Sequence, residues 1–305
     1  MPWDLLELGA CRVDSLRSMS QVMGAHDRVE TEEAMEVATG LLLRARARFE
    51  ALGEPEEAME GSMLAAENAA TAFDPVGHQV ARHRARAVDA LEMLMDSMHD
   101  PASGRLEARP MAMYALVRMS IEASAMALWT IQSSKKHDRI YRALQIAYAH
   151  LIEYADFASV VGKEDQAAPY LRFRDDKTER LIGLKDAVGT LRQKELTKPP
   201  KLWRILQAVS PTVPPGQPHG VDSPYVVWKM TSAFLHGSDH LTRDLGDFEQ
   251  VTESDGVGAT FVVKPSWGLL CSCVAACVME VEKLDARVRY LATTGYGERS
   301  LLPAE

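Results

Sequence analysis

Apolar residues recur every three to four positions along most of the chain, and turn-forming residues divide that pattern into a series of helices. Residues 31–52 open on Glu32 and Glu33 and close on arginine, the charge order a helix dipole favours, with Gly53 placed to end the helix. A second helix is predicted over 54–73 with Pro55 in its first turn, and a third from the Asp74-Pro75 cap pair to Met98. "DPASGR" (100–105) interrupts the pattern. Further helices are expected over 110–134, 138–161 and 175–196, then around "KLWRILQAV" after Pro199 and Pro200. Residues 210–224 are rich in Pro and Gly without periodicity, which predicts an irregular, exposed flap.

"PYVVWKMTSAFLHGSDH" (224–240) reads as a short helix capped by Asp222 or Ser223, begun by Pro224 and stopped by Gly237. The period then changes: within 248–263, two runs of Val, Thr and Phe flank Ser254-Asp255-Gly256, the pattern of a β-hairpin. A last helix is expected over 266–292. The fold class is therefore all-α, a multi-helix bundle with one small β-hairpin insertion. Residues 1–100 are expected to form an N-terminal helical layer on a main bundle of 105–295, the two making one continuous unit whose weakest boundary lies at 100–108.

The helix at 224 is apolar nearly all round, yet Tyr225, Lys229, Ser232 and His236 follow one another at steps of four, three and four. At 100° per residue they fall within about 40° of one line. Buried polar groups left unpaired cost roughly 1–3 kcal/mol each, so a stripe turned into the bundle needs partners, water or a ligand. Ser232 and His236 are spaced to share a hydrogen bond. A stripe facing solvent, or bonded structurally to a neighbouring helix, is the plainer reading. The helix "MAMYALVRMSIEASAMALWTIQ" (111–132) carries a second anomaly, Arg118 and Glu122 one turn apart on an otherwise apolar segment. The cation precedes the anion, the weaker order for a pair within a helix, so inter-helical contacts are expected as well. The two anomalies together predict one polar cluster inside the bundle: Arg118 and Glu122 opposite Tyr225, Lys229, Ser232 and His236.

Composition narrows what such a cluster can serve. A net charge of −9 argues against a general affinity for nucleic acid. Four cysteines are too few for a disulfide framework, and no basic start precedes an apolar run, so a reducing cytoplasm is the expected setting. No run of about 18 apolar residues occurs, which excludes a membrane span by sequence. Cys271, Cys273 and Cys277 read as small core thiols rather than zinc ligands, and no metal or other cofactor is expected. "RHRAR" (82–86) and "RARAR" (44–48) read as solvated faces. In "RQKELTKPPKLWR" (192–204), Trp203 is expected to anchor the short helix, with nucleic-acid stacking as the alternative.

The pairing of "ALVRMSIEASA" with a later "SAFLHGS" resembles a broad group of uncharacterised bacterial helical proteins, some placed near HEPN-type domains. Several of those domains are RNA-cleaving toxins or phage-defence effectors. The HEPN nuclease signature is Arg, four to six residues, then His; here Lys229 stands in place of Arg, with six residues between it and His236. The resemblance implies His236, Ser232 and Lys229 as catalytic candidates, with RNA as the partner. Three functions are carried forward: a helical interaction or regulatory protein whose polar cluster fixes packing, a HEPN-like RNA-processing or defence factor, and a bundle binding a small anionic ligand. A homo-oligomer is compatible with each.

Overall fold

The computed structural model describes residues 31–98, 110–161, 164–214, 220, 222–237, 246–250, 261–297 and 299–302. The chain forms α1 (Glu32–Glu50), α2 (Met63–Ala70), α3 (Val76–Ser97), α4 (Pro110–Ile131), α5 (Lys136–Val161) and α6 (Glu164–Ala187). A 3-10 turn (Gly189–Leu191), α7 (Leu202–Val209) and α8 (Pro224–Leu235) follow. The order closes with β1 (Gly246–Gln250), β2 (Phe261–Pro265), α9 (Trp267–Thr293) and the two-residue strands β3 (Thr294–Gly295) and β4 (Arg299–Ser300). The expected all-α bundle with one antiparallel hairpin is what forms: β1 pairs β2 with Phe248 opposite Val263 and Gln250 opposite Phe261. The turn assigned to Ser254–Gly256 lies outside the described residues, as does the 100–108 boundary.

α4 is the central helix, flanked by α3, α9, α8 and α7. Met113, Tyr114, Val117 and Ile121 of α4 are fully buried against Leu91 and Leu94 of α3 and Val274, Cys277 and Val281 of α9. Each such aliphatic side chain contributes about 1.5–3 kcal/mol by leaving water. α1 lies along α9, where Leu42 and Ala45 join the same core. Residues on both sides of 100–108 therefore share one apolar interior. The three cysteines Cys271, Cys273 and Cys277 lie within it at zero exposure, as small core thiols.

Three helix boundaries differ from the sequence reading, and at each a residue outside the segment supplies hydrogen-bond partners. Residues 54–60 are not helical: the Met59 N–H donates to the Ala292 carbonyl at the end of α9 (3.0 Å), and Ser62 bridges Gly295. Gly61 turns the chain with φ of 81°, a conformation costly for any residue with a Cβ, and Ser62 then caps α2 by accepting from the Ala65 N–H. At α3 the cap position falls to Pro75, which has no side-chain acceptor. Thr71 Oγ1 accepts from the Val76 N–H (3.1 Å) and Asn68 Oδ1 from the Gly77 N–H (2.8 Å), so α2 caps α3. Asp74 is left to hold Arg82 through both carboxylate oxygens. The helix expected over 175–196 runs instead over 164–187, with Pro169 inside it. Lys185 Nζ donates to the carbonyls of Arg192 and Lys194, which fixes the following segment as a non-helical return.

Beneath α2 lies a buried charge pair that the sequence reading did not single out. Arg139 of α5 (1% exposed) donates from Nε and Nη2 to the Glu67 carboxylate (0%) and from Nη1 to the Ser133 carbonyl at 2.6 Å. The Tyr296 hydroxyl, just past β3, donates to the same carboxylate at 2.8 Å. No helix among the described residues is long and apolar enough to cross a membrane.

Candidate functional site

α8 settles on α4 through Val227, Met230 and Phe234, with the Phe234 ring stacked on Tyr114 at 4.2 Å and 4°. Its N-terminus is fixed by α7 rather than by its own cap residue. The Ser210 hydroxyl donates to the Leu206 carbonyl and accepts from both the Ser223 hydroxyl (3.0 Å) and the Tyr225 N–H (3.1 Å). His236 occupies the C-cap, and Gly237 at φ 64° ends the helix as the pattern predicted.

With that face buried, geometry sends the polar stripe the other way. At 100° per residue, Phe234 lies about 180° from Tyr225, so the stripe expected to point inward lies on the outer seam between α8 and α4. Tyr225 and Ser232 are half-buried; Lys229 and His236 are exposed. The reason is competition for the core: large apolar groups on the opposite face release more free energy on burial than a Lys and a His could recover.

The seam nevertheless brings the two anomalous segments together. Arg118 Nη1 lies 3.3 Å from His236 Nε2, across 118 residues of chain. Arginine only donates, so a hydrogen bond here has Nε2 as its acceptor. Arg118 Nε also donates to Glu122 Oε1 at 2.7 Å, and the same oxygen accepts from Trp228 Nε1 at 2.7 Å. The inter-helical contacts anticipated from the unfavourable Arg-before-Glu order are thus His236 for Arg118 and Trp228 for Glu122. The Arg118 and Glu122 side chains are about a quarter exposed, at 25% and 29%, so the pair is partly solvated rather than sealed in.

Rings complete the site. Trp228 stacks beside Tyr225 at 6.5 Å, Lys229 Nζ stands 5.8 Å from the Tyr225 ring and 6.0 Å from Trp228, and the Arg118 guanidinium is 5.8 Å from Trp228. Lys229 has no carboxylate within salt-bridge reach among the described residues. By helical periodicity Trp228 is only a flank of the stripe; its hold on Glu122 carries no sequence signal beyond its position three residues after Tyr225. Ser232 departs from expectation, since its Oγ is buried with no hydrogen-bond partner among the described residues and does not reach His236. The hydrogen bond that links the two residues is helical, from the His236 N–H to the Ser232 carbonyl.

The other sequence candidates lie apart from this seam. Trp203 is exposed with Arg204 over its ring at 5.0 Å, and Ile205 and Leu206 anchor α7 in its place. Arg82 and Arg86 are exposed as expected, but Arg84 is buried in a double hydrogen bond to Asp285 and a third to the Gly53 carbonyl. Among the described residues no three of His, Cys, Asp and Glu gather as metal ligands. Compared with models of known protein families, with curated proteins and with solved structures, the chain matches none.

Proposed function

We propose that the α4–α8 seam binds a small anion of the phosphate class, with Arg118 and Lys229 supplying charge, His236 a hydrogen-bonding ring nitrogen, and Tyr225 and Trp228 an apolar shelf. The observation that carries this reading is the 3.3 Å contact between Arg118 Nη1 and His236 Nε2 at a solvent-accessible edge. A guanidinium resting on a neutral imidazole has a weak acceptor that an oxyanion displaces with gain, because charge-assisted hydrogen bonds are about twice as strong. Glu122 sets the orientation of Arg118 and limits the net charge of the site, which favours a small ligand over a polyanion.

The test is thermal stabilisation by inorganic phosphate and by nucleoside monophosphates, read with wild type, Arg118→Met and Lys229→Ala. Binding raises Tm in the wild type as ligand concentration exceeds Kd, and both variants lose the rise. No stabilisation by either ligand removes the reading. It would leave the interaction or regulatory protein, in which the Arg118–Glu122–Trp228 links only fasten α8 to α4.

A second reading, an RNA-processing or defence factor with His236 as acid/base, is favoured by the same contact. It supplies in space an Arg beside a His that the chain spacing lacks. Co-purified RNA, and cleavage lost in His236→Ala, would support it; intact RNA after incubation with the wild type would not.

A further inference from the structure

The α5–α6 hairpin is packed in reverse over its outer half. Nearer the body, Ile140, Leu144, Leu151 and Leu181 fill the space between the two helices. Beyond Leu151 the buried residues of α5 among those described are Ala155 and Ala158, whereas three large apolar side chains face water: Tyr154 (47% exposed), Phe157 (64%) and Val160 (85%). α6 repeats this with Tyr170 (40%) and Phe173 (45%). A self-sufficient hairpin would place its large side chains inside. Small residues between the helices and aromatics outside are the arrangement of a hairpin completed from its outer face.

That face contains both a hole and a knob. A groove of about 610 Å³ opens between Phe73, His150, Leu151, Tyr154, Tyr170 and Phe173. Its aromatic walls are set edge to face, Tyr154 against Tyr170 at 5.3 Å and against Phe173 at 6.1 Å. Phe157 stands on the same line of α5 as His150 and Tyr154, seven and three residues on, and projects past the groove's end.

We infer that this face is the seam of a homodimer, in which a two-fold axis near Phe157 sets each copy's knob into the other's groove and the two hairpins make a four-helix bundle. An isologous contact needs one patch that complements itself, and a knob beside a hole provides that. Area agrees. At roughly 200 Å² for a whole aromatic side chain, the four exposed rings and Val160 offer on the order of 500 Å² of apolar surface, the larger part of the 800 Å² or so that each partner buries in a stable complex.

The experiment is sedimentation of the full chain across the micromolar range, with Phe157→Glu and Val160→Glu as variants and circular dichroism to verify folding. Both sites are so exposed that the folded monomer tolerates a carboxylate. The wild type is expected at twice the 33.7 kDa chain mass, with each variant weakened in self-association by at least tenfold. A wild type that stays monomeric throughout overturns the inference, including the case in which the groove takes a helix from another protein. A dimer unaffected by both glutamates overturns it equally. This surface is separate from the α4–α8 seam, so failure here leaves the anion-binding reading untouched.

Discussion

Arg139 and Glu67 meet 72 residues apart in sequence with neither side chain exposed beyond 1%. A buried ion pair contributes little net stability against an apolar replacement, but removing one partner strands the other without solvent. Glu67→Gln or Arg139→Met alone should each destabilise by about 3–5 kcal/mol in urea unfolding, while Glu67→Leu with Arg139→Met recovers most of that loss. Additive losses in the double variant would show that the two side chains do not act as a pair.

The Ser210 hydroxyl uses its donor and two acceptor directions, and it stands in for the cap that α8 lacks. Ser210→Ala should cost about 1–2 kcal/mol of stability. The loss should also appear as faster amide exchange at Tyr225, whereas exchange in α1 stays as in the wild type.

His83 is buried against Arg82, Arg86 and His150, and burial first, then those cations, lowers its pKa from 6.5 to about 4. The unfolded chain therefore takes up a proton below pH 6.5 that the folded chain refuses until about pH 4. This contribution to stability is complete above pH 6.5 and is lost as pH falls towards 4. At about 1.4 kcal/mol per pKa unit it amounts to roughly 3 kcal/mol. Denaturant midpoints measured across that window should fall steeply for the wild type and less for His83→Gln. Equal slopes would refute the assignment.

Burial raises the Cys273 thiol to about 12, and Cys277 also lies well above the ordinary thiol value. In a Cys11→Ser background, a thiol reagent at neutral pH should find no reactive group in the folded protein and three after unfolding. Rapid modification of the folded chain would mean that α9 opens far more readily than its packing allows.

Helical periodicity was enough for the class of fold, because most helices bury one regular face and the period survives in the residues. It was enough as well to bring Arg118 and Glu122 beside His236, since two polar anomalies on apolar helices tend to meet. The direction of the Tyr225–His236 stripe was not legible. Whether a two-faced helix turns its rings and cations out or in depends on Tyr114 and the α4 surface awaiting it, and that pairing is not local. The same holds for the start of α3. A cap formed by Asn68 and Thr71 on the preceding helix leaves Pro75 with the geometry but not the chemistry of a cap. Arg139 and Tyr296 escaped notice because each stands among polar neighbours where an exposed position would be assigned, and Glu67 because a single carboxylate beside Asn68 in a run of alanines marks no face; only tertiary structure removes the water.

The hydroxyl of Tyr296 reaches Glu67 over 229 residues of chain, which has a consequence for biosynthesis. During translation the first helices emerge long before the tyrosine that completes their carboxylate's shell. The pocket under α2 can reach its final form only once Tyr296 has left the ribosome, and until then the Glu67 carboxylate lacks one of its donors.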